Sequence, residues 1–328
     1  MIVAKTPLRM SFFGGGTDFP AYYEQGALGY GTVLSTAINM YTYIMVCHRF
    51  DNKIRVCYRD QELVDSVDEV KHDIIREAMK ITGIVGSIDV VYSADIPIST
   101  AGVGLASSSS MAVGVLNAFS AFQGRYLTPS RLAELACDIE INRLKNPIGI
   151  QDQYAVAHGG FRQYKFHRNG SVTFDMVACS QATLEQLRSR LMLFYTGTKR
   201  RASEILSEQK SNISDRRAIL DEMAEMTTAA YTELSNGNCD SWGRLLDHAW
   251  QLKRRLASKI SNPDLDAMYA AAQQSGAIGG KILGAGGGGF LLLYVPEARQ
   301  ATVRSALHEY REIDFAFAPV GSRIVFSE

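Results

Sequence analysis

Residues Gly102–Met111, GVGLASSSSM, place glycines before a run of four serines. It follows a strand-like segment, SIDVVYSADI (residues 87–96), and comes before apolar residues that recur at helical spacing. These apolar residues are Met111, Val115, Leu116, Phe119 and Phe122. The sequence therefore predicts a strand, a glycine-rich loop and a helix, in that order.

A loop of this kind can receive phosphate oxygens. The first backbone N–H groups of a helix have no partners within the helix, and the helix dipole places partial positive charge there. Glycines allow close approach, and serine hydroxyls add donors or a ligand for Mg²⁺. The loop is not a P-loop, because G-x-x-x-x-G-K-[ST] does not occur in the chain. The alternative is an ordinary helix with a serine N-cap.

A second glycine-rich stretch, Gly284–Gly289, matches the dinucleotide pattern G-x-G-x-x-G. That pattern needs a helix after it, so that the helix N-terminus faces the pyrophosphate. Here the strand-like segment FLLLYV follows. We therefore predict a tight loop close to a ligand, and we disfavour a dinucleotide-dependent dehydrogenase.

A third stretch, Gly14–Asp18 (GGGTD), follows the segment TPLRMSFF, a strand candidate that carries Arg9. An ionised carboxylate can accept two hydrogen bonds from a diol, so Asp18 could contact sugar hydroxyls. The alternative is a turn that the aspartate caps.

Two carboxylates lie downstream of the serines. Thr128 and Pro129 predict the start of a helix that runs to about Leu144 and carries Glu140 near its end. Glu140 could complete a magnesium site with a serine hydroxyl, since Mg²⁺ prefers hard oxygens and few protein ligands. Asp152, after a Pro/Gly loop, could orient or deprotonate an attacking hydroxyl. The alternatives are a solvated charge for Glu140 and a helix cap for Asp152.

Composition restricts the class of protein. The chain has 328 residues, with 34 Lys and Arg against 34 Asp and Glu, so no net charge favours nucleic acid or a membrane surface. Its five cysteines are widely spaced and form no C-x-x-C pair, which indicates neither a disulfide framework nor a zinc site. With no signal-peptide pattern and no long apolar run, we expect a cytoplasmic protein.

The remaining pattern predicts an α+β protein of two domains, 1–185 and 186–328. Segments within 30–58 predict paired strands joined near Asp51, residues 68–82 a helix, and residues around Asn169 a hairpin. From about 200 to 275 the pattern is almost wholly helical. Strand-like KILGAGGGGFLLLYV, a helix over 297–309 and strand-like DFAFAPV (residues 314–320) follow.

The order of these motifs resembles the GHMP family of small-molecule kinases. The shared order is Pro-x-Arg, Gly-Gly-Gly-Thr-Asp, Gly-Leu-Ala-Ser-Ser-Ser, a glutamate before Gly-x-x-Asp-Gln, and a late Gly-Ala-Gly-Gly-Gly. The resemblance implies the GHMP kinase fold, with a ribosomal-protein-S5-like N-terminal domain and a ferredoxin-like C-terminal domain. It also implies that ATP, with Mg²⁺, and a sugar bind between the domains.

The resemblance further implies roles for individual residues. The loop around the ATP phosphates would be formed by Gly102, Gly104, Leu105, Ser107, Ser108 and Ser109. Mg²⁺ would be held by Ser108 and Glu140, with Asp152 as the catalytic aspartate and Arg9 near the transferring phosphoryl group. The sugar pocket would contain Gly16, Thr17 and Asp18, and the third family loop Gly284, Gly286, Gly287 and Gly288. If the sugar carries a phosphate of its own, Arg200 would receive it; the alternative is a solvated basic helix start.

In one respect the chain departs from the family pattern. Residues 98–103 separate Pro97 from Gly104, so the phosphate loop is longer than usual and the choice of Ser108 over Ser107 or Ser109 stays open. Two alternative functions stay open within this fold, and one is a sugar kinase of the family that acts on galactose or fucose. A protein of this fold that only senses sugar and nucleotide is the other.

Overall fold

The computed structural model describes residues 1–96, 104–197 and 202–328. Its first sheet has eight strands, in the order β12-β1-β2-β5-β3-β4, with β6 also paired to β2 and β7 to β6. These strands are β1 (Ile2–Phe13), β2 (Tyr30–His48), β3 (Ile54–Cys57), β4 (Gln61–Val64), β5 (Ile88–Ala94), β6 (Phe161–His167), β7 (Val172–Met176) and β12 (Arg323–Ser327). The long β2 pairs with β6 through its first half and with β5 through its second half.

A second, four-stranded antiparallel sheet has the order β11-β8-β10-β9. Its strands are β8 (Leu191–Tyr195), β9 (Gly279–Ile282), β10 (Phe290–Tyr294) and β11 (Arg311–Glu312). Every residue of β10 is buried, which explains why FLLLYV is continuously apolar instead of alternating.

Eleven α-helices accompany the sheets in the described ranges. They are α1 (Pro20–Tyr23), α2 (Asp73–Thr82), α3 (Ser107–Phe122), α4 (Pro129–Cys137), α5 (Gln151–His158), α6 (Gln181–Ser189), α7 (Ala202–Ser211), α8 (Arg217–Ser235), α9 (Trp242–Lys253), α10 (Pro263–Gln274) and α11 (Gln300–Ala306). Short 3₁₀ turns at Val67–Glu69 and Glu297–Arg299 precede α2 and α11, and a π-helix at Asp138–Arg143 continues α4. No helix of the described ranges is both long and apolar enough to cross a membrane.

The predicted helices and the hairpin around Asn169 are confirmed. The Thr128 hydroxyl accepts from the Arg131 N–H at 3.3 Å and caps α4, and β6 pairs with β7 across the Asn169 turn. Helix α3, predicted from the apolar spacing after the serines, is buried along almost its whole length against β1 and β2.

Two expectations for strands are wrong. The strands of residues 30–58 do not pair with each other, because β5 lies between β2 and β3 and pairs with both. Residues 314–320 contain only an isolated bridge between Phe317 and Ile38, and Pro319 cannot donate to a ladder. The C-terminal strand is instead β12, which pairs with β1.

Helix α9, which packs on β9 of the second sheet, also contacts the first sheet through an aromatic cluster. The Trp242 ring of α9 packs edge-on against Phe12 and Phe13 at the end of β1, with centroid separations of 5.3 and 5.2 Å. Residue 185 lies within α6, and β12 returns the last residues to the first sheet. The domain boundary near residue 185 therefore stays a prediction.

Candidate active site

A cavity between the two sheets is lined on one side by the glycine–serine loop. Gly104 has φ +92°, and a Cβ there would lie 2.3 Å from the Leu283 carbonyl oxygen. Ala106 is also left-handed, with φ +62°, and α3 begins at the next residue. The loop thus turns sharply, and the N-terminus of α3 faces the cavity through Ser107 and Ser108. Leu105 is fully buried beneath the loop, and Gly102 lies outside the described residues.

The late glycine loop contacts the first loop directly. Gly284 has φ +67°, and a Cβ there would lie 2.3 Å from the Gly104 Cα, so the two backbones touch. Gly284 lines the cavity. Farther along the loop, the Gly287 N–H donates to the Ile260 carbonyl at 2.7 Å, and Gly286 packs on the same residue. Gly286 and Gly287 thus anchor the loop to the segment that follows α9, and Gly288, with φ +144°, continues the loop towards β10.

Glu140 is fully buried behind the serines. It lies in the π-helix, a local irregularity that often marks functional positions. Its carboxylate accepts from the Ser108 and Ser109 hydroxyls, each at 2.7 Å, and from the Gln153 amide at 2.5 Å. Burial raises the pKa of Glu140, and the three hydrogen bonds counteract that rise. Ser108 is exposed whereas Ser109 is buried, so Ser108 can reach both Glu140 and a ligand.

Arg9 and Asp152 form a bidentate ion pair at the centre of the cavity. The Arg9 Nε donates to Asp152 Oδ1 at 2.8 Å and Nη2 to Oδ2 at 2.6 Å, while Nη1 donates to the Gly104 carbonyl at 2.8 Å. The Arg9 side chain is 3% exposed and that of Asp152 is 25% exposed. The guanidinium therefore fixes the carboxylate, which is the more exposed of the two cavity-lining groups.

Asp18 lies beside this pair and lines the same cavity. Its carboxylate accepts from the Gly16 N–H at 2.9 Å and from the Gln151 N–H at 3.3 Å. Burial raises the pKa of Asp18, and the nearby charge of Asp152 raises it further. Gly149 also approaches, because a Cβ there would lie 2.0 Å from Asp18 Oδ2.

Thr17, grouped with Gly16 and Asp18 by the sequence, is oriented differently. Its hydroxyl contacts the Gly14 and Thr32 carbonyls, each at 2.8 Å, and accepts from the Thr32 N–H at 2.9 Å. The residue has no exposed surface. The Thr17 hydroxyl therefore holds the Gly14–Asp18 turn onto β2.

Two buried lysines at the cavity were missed by the sequence reasoning. The Lys281 ammonium donates to the Phe12 carbonyl at 2.7 Å, and burial, with a smaller contribution from the Arg9 charge, lowers its pKa to about 7. Lys253 donates to the Ile282 and Gly284 carbonyls at 2.9 and 2.5 Å. A lysine within an apolar strand pattern just before a glycine loop was the available signal for Lys281.

The structure thus brings together most residues that the sequence selected. One cavity holds Arg9, Gly16, Asp18, Gly104, Ser107, Ser108, Ser109, Asp152 and Gly284, with Glu140 behind the serines. Arg200 lies outside the described residues. A helix N-terminus with glycines suits phosphate, and a fixed carboxylate beside it suits a hydroxyl acceptor. These features define the class as an enzyme of phosphoryl transfer to small molecules.

Comparison with known proteins confirms that class. Residues 69–160 match the family described as GHMP kinases N terminal domain, and residues 230–312 match GHMP kinases C terminal. Together the two matches cover more than half of the chain. The chain belongs to the GHMP kinases, so it is a kinase.

Individual relatives cover nearly the whole chain. A D-glycero-alpha-D-manno-heptose 7-phosphate kinase of Campylobacter jejuni is 28% identical over 98% of this chain and 97% of its own. A galactokinase of Pyrococcus furiosus is 26% identical over 94% and 93%. The crystal structure of a D-glycero-D-manno-heptose 1-phosphate kinase from Bacteroides thetaiotaomicron covers both chains completely, with a TM-score of 0.82 and 23% identity. This last likeness confirms the GHMP kinase fold.

Replacing Thr17 by valine tests whether this residue serves the fold or the substrate. Because Thr17→Val leaves the Thr32 N–H without its acceptor, we expect unfolding to become easier by about 1–3 kcal/mol. The KM for the sugar should change by less than about twofold, since the hydroxyl is used within the fold. Chemical denaturation and steady-state kinetics measure the two effects, with Thr228→Val on the exposed face of α8 as control. A large rise in KM without loss of stability would contradict the structural role.

Lys281 should make stability depend on pH in a defined direction. Its folded-state pKa of about 7 lies below the ordinary 10.5, so unfolding takes up a proton between these values. Its contribution to stability is present above pH 10.5 and is lost as the pH falls through 7. Lys281→Met lacks this dependence, so its Tm relative to the wild type should be higher at about pH 6.5 than at about pH 9.5. Parallel Tm profiles of the two proteins across this pH range would contradict the assigned pH dependence of Lys281. Lys71→Met, at an exposed site, is the control.

Proposed function

We propose that the chain uses ATP to phosphorylate the anomeric hydroxyl of D-glycero-D-manno-heptose 7-phosphate. The product is the 1,7-bisphosphate, used in making activated heptose for surface polysaccharide. The observation that supports a kinase acting on a sugar hydroxyl is the Arg9–Asp152 pair. Its Asp152 carboxylate is fixed and partly exposed, and it faces the cavity that Asp18 also lines. The full-length similarity to the Campylobacter jejuni heptose 7-phosphate kinase supports the choice of sugar.

Asp152 holds the C1 hydroxyl in line with the phosphoryl group. Phosphoryl transfer passes through a loose transition state, so positioning and charge stabilisation matter more than early deprotonation. Both Asp152 oxygens accept from Arg9, yet each retains capacity for a further hydrogen bond. The carboxylate orients the hydroxyl and receives its proton as the new bond forms.

Arg9 has two functions in this arrangement. It fixes Asp152, and its guanidinium offsets charge that develops on the transferring phosphoryl oxygens. The backbone N–H groups at the start of α3 hold the ATP phosphates. Gly284, against Gly104, closes the other side of that phosphate site.

The residues beside the serines fit a magnesium ion. The Ser108 hydroxyl and Glu140 carboxylate supply hard oxygens 2.7 Å apart, and Mg²⁺ is usually held by one or two carboxylates with substrate phosphates. A bound Mg²⁺ would neutralise charge on the ATP phosphates.

Asp18 would accept hydrogen bonds from hydroxyls of the sugar that do not react. The 7-phosphate requires a cation, and Arg200 remains the residue that we propose for it. We place the reaction in the cytoplasm, where ATP is available.

A substrate panel with an Asp152 variant tests the proposed reaction. We expect ADP release with Mg-ATP and D-glycero-D-manno-heptose 7-phosphate, and little with mannose, galactose or fucose. Asp152→Asn should lower kcat by about 100-fold or more, because the amide cannot accept the proton. Asp175→Asn, on the exposed hairpin strand β7, is the matched control. Faster turnover of galactose or fucose would reject the heptose phosphate, and unchanged kcat in Asp152→Asn would reject the role of Asp152.

The serine run allows a test of the magnesium site with an internal control. The Ser108 hydroxyl contacts Glu140, whereas the Ser110 hydroxyl contacts Thr42 and the Thr6 carbonyl on the other side of α3. Ser108→Ala should raise the Mg²⁺ concentration for half-maximal activity by about 10-fold, and Ser110→Ala should leave it unchanged. Titration of Mg²⁺ at fixed ATP measures this; equal shifts in both variants would contradict the assignment.

A further inference from the structure

Helix α7 forms a wall of the cavity from the C-terminal half of the chain. Ala202, Leu206 and Gln209 all line the cavity, and their spacing of four and three residues places them on one face of the helix. A hydrogen-bonded contact of Glu208 with the segment after α9 holds the helix in place. The Glu208 carboxylate accepts from the Ser258 N–H at 2.6 Å and from its hydroxyl at 2.9 Å.

Gln209 is the polar residue of this face. It is 5% exposed, so it is almost completely removed from solvent. Within residues 1–96, 104–197 and 202–328, no side chain or backbone group forms a hydrogen bond with its amide. The amide atoms of Gln209 are not among the fully buried side-chain atoms that lack a partner, so they reach the cavity that the residue lines and can hydrogen-bond a ligand there.

The Gln209 amide lies beside the turn that carries Asp18. A Cβ on Gly16 would lie 2.5 Å from Gln209 Nε2, so the amide packs directly over the Gly16 backbone. The N–H of that same Gly16 donates to Asp18 Oδ1 at 2.9 Å. Gly16 therefore separates two cavity-lining polar groups, a carboxylate that accepts and an amide that both donates and accepts.

This pair suits neighbouring hydroxyls of a sugar. We infer that Gln209 determines acceptor specificity, by hydrogen-bonding a sugar hydroxyl other than the one that is phosphorylated. The inference rests on sugar-kinase activity, and it does not require that the sugar be the heptose phosphate. A site built around an unpaired polar group rejects an analogue that lacks the matching hydroxyl far more strongly than an apolar pocket would.

Substitution of Gln209 should affect the sugar and spare the nucleotide. In Gln209→Leu we expect kcat/KM for the sugar to fall by about 10- to 100-fold, with KM for ATP changed less than about twofold. Gln274→Leu, on the exposed part of α10, is a matched control. Gln209→Glu, which keeps the acceptor and removes the donors, should lose part of this activity and provides a second variant if the leucine variant does not fold.

A double-mutant cycle that combines Gln209 variants with substrate analogues distinguishes recognition of a hydroxyl from a structural role. The wild type and both Gln209 variants are assayed with the sugar that the wild type uses best and with each of its monodeoxy analogues. At one position, removal of the hydroxyl should lower kcat/KM of the wild type by about 10-fold or more and leave Gln209→Leu unaffected.

Equal penalties in the wild type and Gln209→Leu at every position would overturn the inference, as would a matching rise in KM for ATP. Failure of the proposed function gives a different result. The wild type would then not use D-glycero-D-manno-heptose 7-phosphate, and the cycle would still be completed with the sugar that it does use.

Discussion

The site depends on the ion pair between Arg9 and Asp152. Arg9 is buried within β1, and a buried guanidinium is tolerated only when its charge and its donors are satisfied. Asp152 from α5 balances the charge and accepts two of the hydrogen bonds, and the Gly104 carbonyl accepts a third. One side chain of the central sheet therefore fixes both the carboxylate that faces the acceptor and the loop that faces the phosphates. Removal of Asp152 would leave the buried Arg9 charge without compensation.

Close backbone contact is the second constraint. Gly104 and Gly284 come from different halves of the chain, and each lies where a Cβ would clash with the other's loop. Lys253 holds the Gly284 carbonyl from α9, and the Trp242 ring of that helix packs on the end of β1. The cavity has its shape because the two sheets are joined at these points, so its two walls are not independent.

Buried charge is distributed unevenly around the cavity. Glu140 is surrounded by donors, from two serines and Gln153, which favour its ionised form against the effect of burial. Burial lowers the pKa of Lys281, and the nearby positive charge of Arg9 lowers it further. A bound cation would therefore favour the ionised form of the Glu140 carboxylate, and an anionic ligand would favour the charged form of Lys281.

The amino-acid pattern predicted the helices with caps and apolar spacing, the hairpin at Asn169, and Asp18, Glu140 and Asp152 as candidate site residues, and its resemblance to the kinase family added Arg9 and Ser108. Local preferences and motif chemistry are sufficient for these. It did not determine that β5 separates β2 from β3 or that β12 is the returning strand, because pairing between distant segments depends on packing that no local pattern encodes. The orientations of Thr17 into the fold and of Gln209 into the cavity follow from tertiary packing. No local pattern gives them, because the face of a turn or helix that meets a ligand depends on what packs against the other face.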